Sequence, residues 1–187
     1  NRIDLLLEAM TTQEKISQLI DEAVAIDRLG IPEYNWWNEA LHGVARSGLA
    51  TSFPQVIGLS STWNPELIFQ VATAISDEAR VKNNTENKGL TYWSPTINMA
   101  RDPRWGRSEE TYGEDPYLTS VLATNFVRGM QGNDPYYLKT IATIKHFACN
   151  NQEFDRFGVN IEVDQRALHE IYLPAFKAGV TEGHAWS

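Results

Sequence analysis

The chain has 187 residues, 42% hydrophobic and 21% charged, and a net charge of −8, enough length for one domain with a real core. The acidic balance argues against a nucleic-acid partner, because phosphate binding needs a basic face. No apolar run approaches the roughly 18 residues that would span a membrane.

The first residue is Asn1, not Met, and no signal-peptide pattern follows it, so a processed or trimmed product is expected. The earliest local signal is a capping box, Thr11 with Glu14 three residues on. The run TQEKISQLI behind it sets Ile16, Leu19 and Ile20 on one helical face. QVIGLSS (55–61) reads as a short apolar strand. Asn64-Pro65 opens a second helix, with Asn as cap and Pro in the first turn; its inward face is Leu67, Ile68, Val71, Ala72, Ile75 and Ala79. Asn83-Asn84-Thr85, within it, fits the glycosylation pattern. TYWSPTI (91–97) is a second apolar run. Asp115-Pro116 opens a third helix to about Met130, and TIATIKHF (140–147) follows as another strand. Asp164 caps a fourth helix, with Leu168, Ile171, Tyr172 and Ala175 inward and Pro174 kinking it or sitting where its missing donor is tolerated. HAWS at the C-terminus begins a further strand.

Strands alternating with amphipathic helices indicate an α/β fold with a largely parallel sheet. No Gly-rich dinucleotide fingerprint follows any strand, and the polar residues collect just after strand ends, where a β/α barrel places its site. A barrel takes about 250 residues. The expectation is therefore the N-terminal part of a (β/α)8 TIM-type barrel, incomplete in this chain.

Three stretches could carry chemistry. Lys145-His146 ends a strand otherwise built for burial, and Asn150, Asn151, Gln152, Glu153 and Arg156 follow. Either the strand emerges into solvent here, or a cation and an imidazole enter a polar pocket suited to a polyhydroxylated ligand. Asn35-Trp36-Trp37-Asn38-Glu39 places a carboxylate beside an indole, a pairing that suits a sugar hydroxyl and ring face, or a surface glutamate beside core tryptophans. Residues 101–116, RDPRWGRSEETYGEDP, hold three arginines and five carboxylates. Glu109 and Glu110 cannot be a glycosidase pair. Such a pair flanks one bond from two sides, and adjacent residues of an extended chain project to opposite faces. Pairing of Arg101 and Arg104 with Asp102, Glu109, Glu110 or Glu114 would brace the loop and leave one arginine for a ligand. The four histidines lack zinc-type spacing, and no Gly-x-Ser-x-Gly elbow exists. Cys149 is the only cysteine, which excludes an intramolecular disulfide, and it has no evident activating partner. No metal or cofactor is expected.

The motifs YNWWNEALHGVA, FPQVIGLSSTWN, SPTINMARDPRWGRSEETYGEDPYL and KHFACNNQE, in order over almost the whole chain, resemble glycoside hydrolase family 3. That resemblance implies a (β/α)8-type barrel followed by an α/β sandwich domain. It also implies a retaining exo-glycosidase that removes terminal non-reducing β-linked xylosyl or glucosyl residues from oligosaccharides or aryl glycosides. The family's nucleophile lies in a Ser-Asp-Trp/Tyr-like motif that this sequence lacks, and its acid/base glutamate lies in the second domain. Both catalytic carboxylates are thus expected outside residues 1–187, with the remaining barrel strands and the sandwich domain. By resemblance, Glu39 grips the far hydroxyls of the terminal sugar, Arg107 is the sugar-binding arginine, and Lys145 and His146 bind hydroxyls near the glycosidic centre. Trp37, Trp93, Glu153 and Arg156 complete the carried-over binding set. Where many glucosidase members have Asp, this chain has Glu39, and the wording is similar to the xylosidase side of the family. A periplasmic or secreted location is favoured over a cytoplasmic one. The alternative is that the isolated chain is an inactive fragment or a weak sugar-binding module.

Overall fold

The computed structural model describes residues 1–187. Helix α1, Arg2–Ala9, starts at Asn1, whose side chain accepts from the Ile3 and Asp4 amides; the sequence reading did not anticipate it. Helix α2, Thr12–Ser17, has the expected capping box, with the Thr11 amide donating to Glu14 at 2.8 Å and the Glu14 amide to Thr11 Oγ1 at 3.2 Å. Its expected inward face is not buried. Ile16, Leu19 and Ile20 are all exposed, because α2 ends one turn early and contributes no residue to the core. A two-residue antiparallel pair follows, β1 Glu22–Ala23 with β2 Tyr34–Asn35.

QVIGLSS is not a strand. Residues Val56–Ser60 form helix α3, burying Val56, Leu59 and Ser60. The spacing of Val56 and Leu59 is that of one helical face, and a run this short satisfies both periods until packing decides. Helix α4, Pro65–Glu86, is capped by Asn64 and buries Ile68, Val71, Ala72, Ile75 and Ala79 as expected, with Leu67 half-buried. The Asn83 side chain of the glycosylation triplet donates to the Lys88 carbonyl at 2.7 Å, so it closes the C-terminal end of α4. Strand β3, Thr91–Tyr92, leads into the charged loop and then α5, Pro116–Gln131, capped by Asp115. Strand β4, Ile141–Ala142, is followed by α6, Gln165–Ala167, capped by Asp164. A π-helical turn over Leu168–Tyr172 leads into α7, Pro174–Thr181. Pro174 stands in the first turn of α7, where its missing N–H has no intrahelical partner to lose.

Four parallel segments form the inner wall. The Trp93 amide donates to the Asn38 carbonyl at 2.8 Å, joining the first segment to the second. Strands β3 and β4 are paired in register, Thr91 with Ile141 and Tyr92 with Ala142, and Thr96 bridges to Lys145 farther along. The C-terminal HAWS run lies beside β4, the Ser187 amide donating to Ala142 at 3.3 Å and the Ile144 amide to Ser187 at 3.2 Å. Consecutive segments are separated by helices, so the order is that of β/α units laid side by side. This is the N-terminal part of a (β/α)8-type barrel, in which the complete fold has eight strands.

The core lies between that wall and the helices. Ala40, Tyr92 and Ala142 from the wall join Ile68, Ile75, Leu122, Phe126, Met130 and Phe176 from α4, α5 and α7. Helices α4 and α5 approach closely at Gly129, whose carbonyl accepts from Ser76 Oγ at 3.0 Å. A β-carbon there would sit 2.5 Å from the Phe69 carbonyl oxygen and 2.7 Å from Ala72 Cβ. Gly129→Ala gains about 1 kcal/mol of helix propensity but overpacks a contact made of backbone, costing typically 1–3 kcal/mol. The expected net result is a destabilised protein with a lower melting temperature, read by thermal denaturation of the whole protein carrying this chain.

Candidate functional site

In a strand, successive side chains point to opposite faces. Here one parity, Ala40, Tyr92 and Ala142, enters the core against the helices. The other parity, Glu39 and Leu41, Trp93, and Thr143 and Lys145, lines a cleft of about 800 Å³ at the end of the parallel segments. The cleft also receives Trp37, Arg46, Arg107, Glu110, His146 and Arg156. Seven of the eight residues singled out from the sequence are therefore brought together, and Glu153 stands just behind them.

The segment carrying Glu39 is held from both sides. The Asn38 side chain donates to the Thr91 carbonyl at 2.9 Å, the Ala40 amide donates to Ser94 Oγ at 3.1 Å, and the Ala45 amide donates to the Glu39 carbonyl at 2.9 Å. His42 is structural, with Nδ1 2.7 Å from the Phe53 carbonyl. Gly43 has φ 137°, and a β-carbon there would lie 2.2 Å from the Thr51 carbonyl oxygen. Glu39 Oε2 pairs with Lys145 Nζ at 3.1 Å, and its Oε1 accepts from Trp37 Nε1 at 3.1 Å. Trp37 stacks on Trp93, centroids 5.7 Å apart and planes 18° off parallel, and the Arg46 guanidinium lies 4.8 Å from the Trp37 ring centre. Trp36 turns away to meet Tyr34 edge-on at 4.7 Å. The adjacent tryptophans thus diverge, and Lys145 is a paired cation in a pocket rather than a strand end in solvent.

The loop 101–116 divides its charges between surface and cleft. Asp102 pairs with Arg104 at 2.6 Å on the surface. The Arg104 hydrogen bonds hold the Asp102 carboxyl down at about 2. Arg101 is not paired with an acid; its guanidinium lies 5.6 Å from the Tyr172 ring and ties the loop to the π-turn. This corrects the expected bracing of Arg101 by carboxylates. Arg107, expected to be the unpaired arginine, is held bidentately by Glu110 at 2.9 and 2.7 Å. Glu109 is exposed while Glu110 faces the cleft, so the two diverge as expected, although on a 3-10 turn over Ser108–Glu110 and not in extended chain. Burial pushes the Glu110 carboxyl up, but the Arg107 hydrogen bonds and charge, with Lys145 and His146 nearby, outweigh it and hold the group below the usual carboxylate range. The same hydrogen bonds push Arg107 further up.

His146 is clamped by Asn98. The His146 amide donates to Asn98 Oδ1 at 2.7 Å, Asn98 Nδ2 donates to the His146 carbonyl at 2.9 Å, and the ring Nδ1 lies 3.1 Å from the same Oδ1. Burial, with the Arg107 and Lys145 charges, lowers the imidazole pKa to about 4. Arg156 pairs with Glu153 at 2.7 Å, and Glu153 also accepts from the buried Trp105 indole at 3.1 Å. Glu153 therefore supports Arg156 rather than lining the cleft, since one of its oxygens is engaged by Arg156 and the other by the Trp105 indole. The Asn151 side chain donates to the Met99 carbonyl, fixing the start of the 150–156 loop.

Asn98, Glu110, Arg46 and Trp105 were not foreseen as parts of the site. Asn98 and Trp105 sit within the motif SPTINMARDPRWGRSEETYGEDPYL, but only their partners 48 residues away reveal their roles. Glu110 had a usable signal, its i,i+3 spacing from Arg107. No three His, Cys, Asp or Glu side chains converge as a metal cage requires. Stacked indoles, two ion pairs, a neutral imidazole and an amide-rich loop together offer a flat apolar face ringed by donors and acceptors.

Comparison with known proteins agrees with this geometry. Residues 4–185 match the model described as the Glycosyl hydrolase family 3 N terminal domain. The chain is 42% identical to Beta-D-xylosidase 3 of Arabidopsis thaliana, over 100% of its own length and 26% of that protein. It superposes on a family 3 exo-β-xylosidase solved with a xylobiose aziridine probe (TM-score 0.89, 36% identity, 96% of this chain and 25% of that one). It also superposes on a family 3 β-glucosidase of Bifidobacterium adolescentis (TM-score 0.79, 38% identity, 93% and 25%). The chain thus spans about a quarter of the length of these relatives. The chain belongs to glycoside hydrolase family 3 and matches the N-terminal domain of that family.

Proposed function

We propose that this chain supplies the sugar-holding half of the active site of a retaining exo-glycosidase that removes terminal non-reducing β-D-xylosyl, or β-D-glucosyl, residues. The observation that carries the reading is the convergence of Glu39, Lys145, Arg107, His146 and the Trp37–Trp93 stack on one cleft. The proposed binding set is Glu39, Arg107, Lys145, His146, Trp37, Trp93 and Arg156, with Glu153 acting through Arg156. The Trp93 indole, backed by Trp37, would lie against the sugar ring, while the charged pairs direct hydrogen bonds at its hydroxyls.

Neither cleft carboxylate stands free for the general-acid role. A general acid needs a raised pKa, whereas Glu110 is held low by Arg107. Glu39 is occupied by Lys145 and the Trp37 indole. As the family resemblance implies, the nucleophile and the acid/base would lie outside residues 1–187, in the rest of the barrel and an α/β sandwich domain. Hydrolysis would proceed by double displacement through a glycosyl-enzyme intermediate. Groups fixed in advance in the cleft would strengthen their contacts as positive charge develops on the sugar.

Glu39 also bears on pentose against hexose. Its carboxylate, one methylene longer than Asp, is pinned at the cleft wall by two partners and takes space that a hydroxymethyl group would need. Glu39→Asp in the whole protein should raise the ratio of glucoside to xyloside kcat/KM about 10- to 200-fold, measured with the two nitrophenyl glycosides; an unchanged ratio would remove Glu39 as the discriminating residue. Arg107→Ala should lower kcat/KM on nitrophenyl xyloside by ~100-fold or more, and retained activity would sink the site assignment.

His146 carries a pH dependence. Its pKa falls from 6.5 to about 4 on folding, so between those values the unfolded chain binds the proton and the folded chain does not. Stability therefore decreases as pH falls through that window. Replacing His146 with Gln removes the term, and urea unfolding of the whole protein at about pH 7 and about pH 5 should show a smaller acid-side loss in the variant than in the wild type.

A further inference from the structure

Asn98 is buried, 3% exposed, at the end of the second parallel segment. All three of its hydrogen bonds go to His146. The amide orientation follows from the backbone contacts. The atom accepting the His146 N–H must be the oxygen, and the atom donating to the His146 carbonyl must be the nitrogen. The ring Nδ1 therefore faces an oxygen with no proton to give. Nδ1 must itself carry the hydrogen, because the opposite tautomer would set lone pair against lone pair.

We propose that Asn98 is a positioning residue that locks His146 in the Nδ1–H form, leaving Nε2 as a fixed hydrogen-bond acceptor for a sugar hydroxyl. The choice of sugar hydroxyl rests on the proposed glycosidase reading, whereas the tautomer does not. The charged side chains of the cleft that act on His146 are the cations Lys145 and Arg107 and the acid Glu110, and among these titratable groups the imidazole is the uncharged acceptor. The double backbone clamp fixes the His146 main chain against Asn98 and the Nδ1 contact keeps the ring from rotating away, so the acceptor is preorganised before ligand arrives.

The test uses the whole protein labelled with 15N-histidine, the His146→Gln variant identifying the resonances. The wild type should show Nδ1 protonated and Nε2 unprotonated near neutral pH, and D-xylose should move the Nε2 signal while Nδ1 stays put. Asn98→Leu should lose the single tautomer and lower kcat/KM on nitrophenyl xyloside by ~10- to 100-fold. Asn98→Asp, which still accepts both N–H groups, should keep Nδ1–H and recover part of that loss. Nε2 protonated in the wild type or a retained single tautomer in Asn98→Leu overturns the tautomer lock, and an Nε2 signal indifferent to both saturating D-xylose and D-glucose in a protein active on the nitrophenyl glycosides overturns the acceptor role. The wild-type spectrum decides even where Asn98→Leu does not fold. A wild-type protein inactive on both nitrophenyl xyloside and nitrophenyl glucoside would strike the glycosidase reading alone, with the tautomer still judged by the spectrum.

Discussion

The site depends on one constraint, the parallel register of the inner segments. Pairing Thr91 with Ile141 and Tyr92 with Ala142, with Asn38 bridged to Tyr92, aligns three segments so that their pleats agree. The alternation of a strand then does two jobs at once. One parity buries Ala40, Tyr92 and Ala142 under the helices, and the other delivers Glu39, Trp93 and Lys145 to the cleft. A slip of one residue would exchange the two sets, putting charges into the core. The hydrophobic drive that packs α4, α5 and α7 on the wall is therefore also what aims the polar residues.

Charge in the cleft is arranged as interlocking pairs rather than as free ions. Glu39 holds Lys145, and Glu110 holds Arg107. All four side chains are no more than 20% exposed, and unpaired charges at such depth would be costly. Paired, they retain unused donor and lone-pair positions for a polar ligand. The same cations, added to burial, keep His146 neutral. The site thus combines charged donors with an uncharged imidazole, a difference made by environment rather than residue type.

The loop 101–116 shows how a dense run of charge is sorted by folding. Arg104 and Asp102 pair with each other in solvent, where such a contact stabilises little. Arg101 reaches an aromatic ring on the following β/α unit. Arg107 and Glu110 turn inward, three residues apart on a single 3-10 turn. Asp115 leaves the loop altogether and caps α5, accepting from the Leu118 amide at 2.6 Å. Identical residue types serve the surface, the cleft and a helix end because turn geometry gives each a different direction.

The sequence alone determined the features that arise from local chemistry. The caps at Thr11, Asn64, Asp115 and Asp164, the buried face of α4 and the divergence of Glu109 from Glu110 follow from spacing within one or two turns. Recognisable motifs further identified the family and seven of the residues that line the cleft. Tertiary structure decided what no short window contains. It made Val56–Ser60 helical, because a five-residue apolar run fits either period until its neighbours choose. It left the apolar side of α2 uncovered, and it gave Arg107 a partner while sending Arg101 to Tyr172. It joined Asn98 to His146 and Trp105 to Glu153 across 48 residues. Local propensities act over a few residues of chain, whereas these partnerships exist only once strands distant in sequence are brought side by side, and that long-range pairing decides which polar atoms meet.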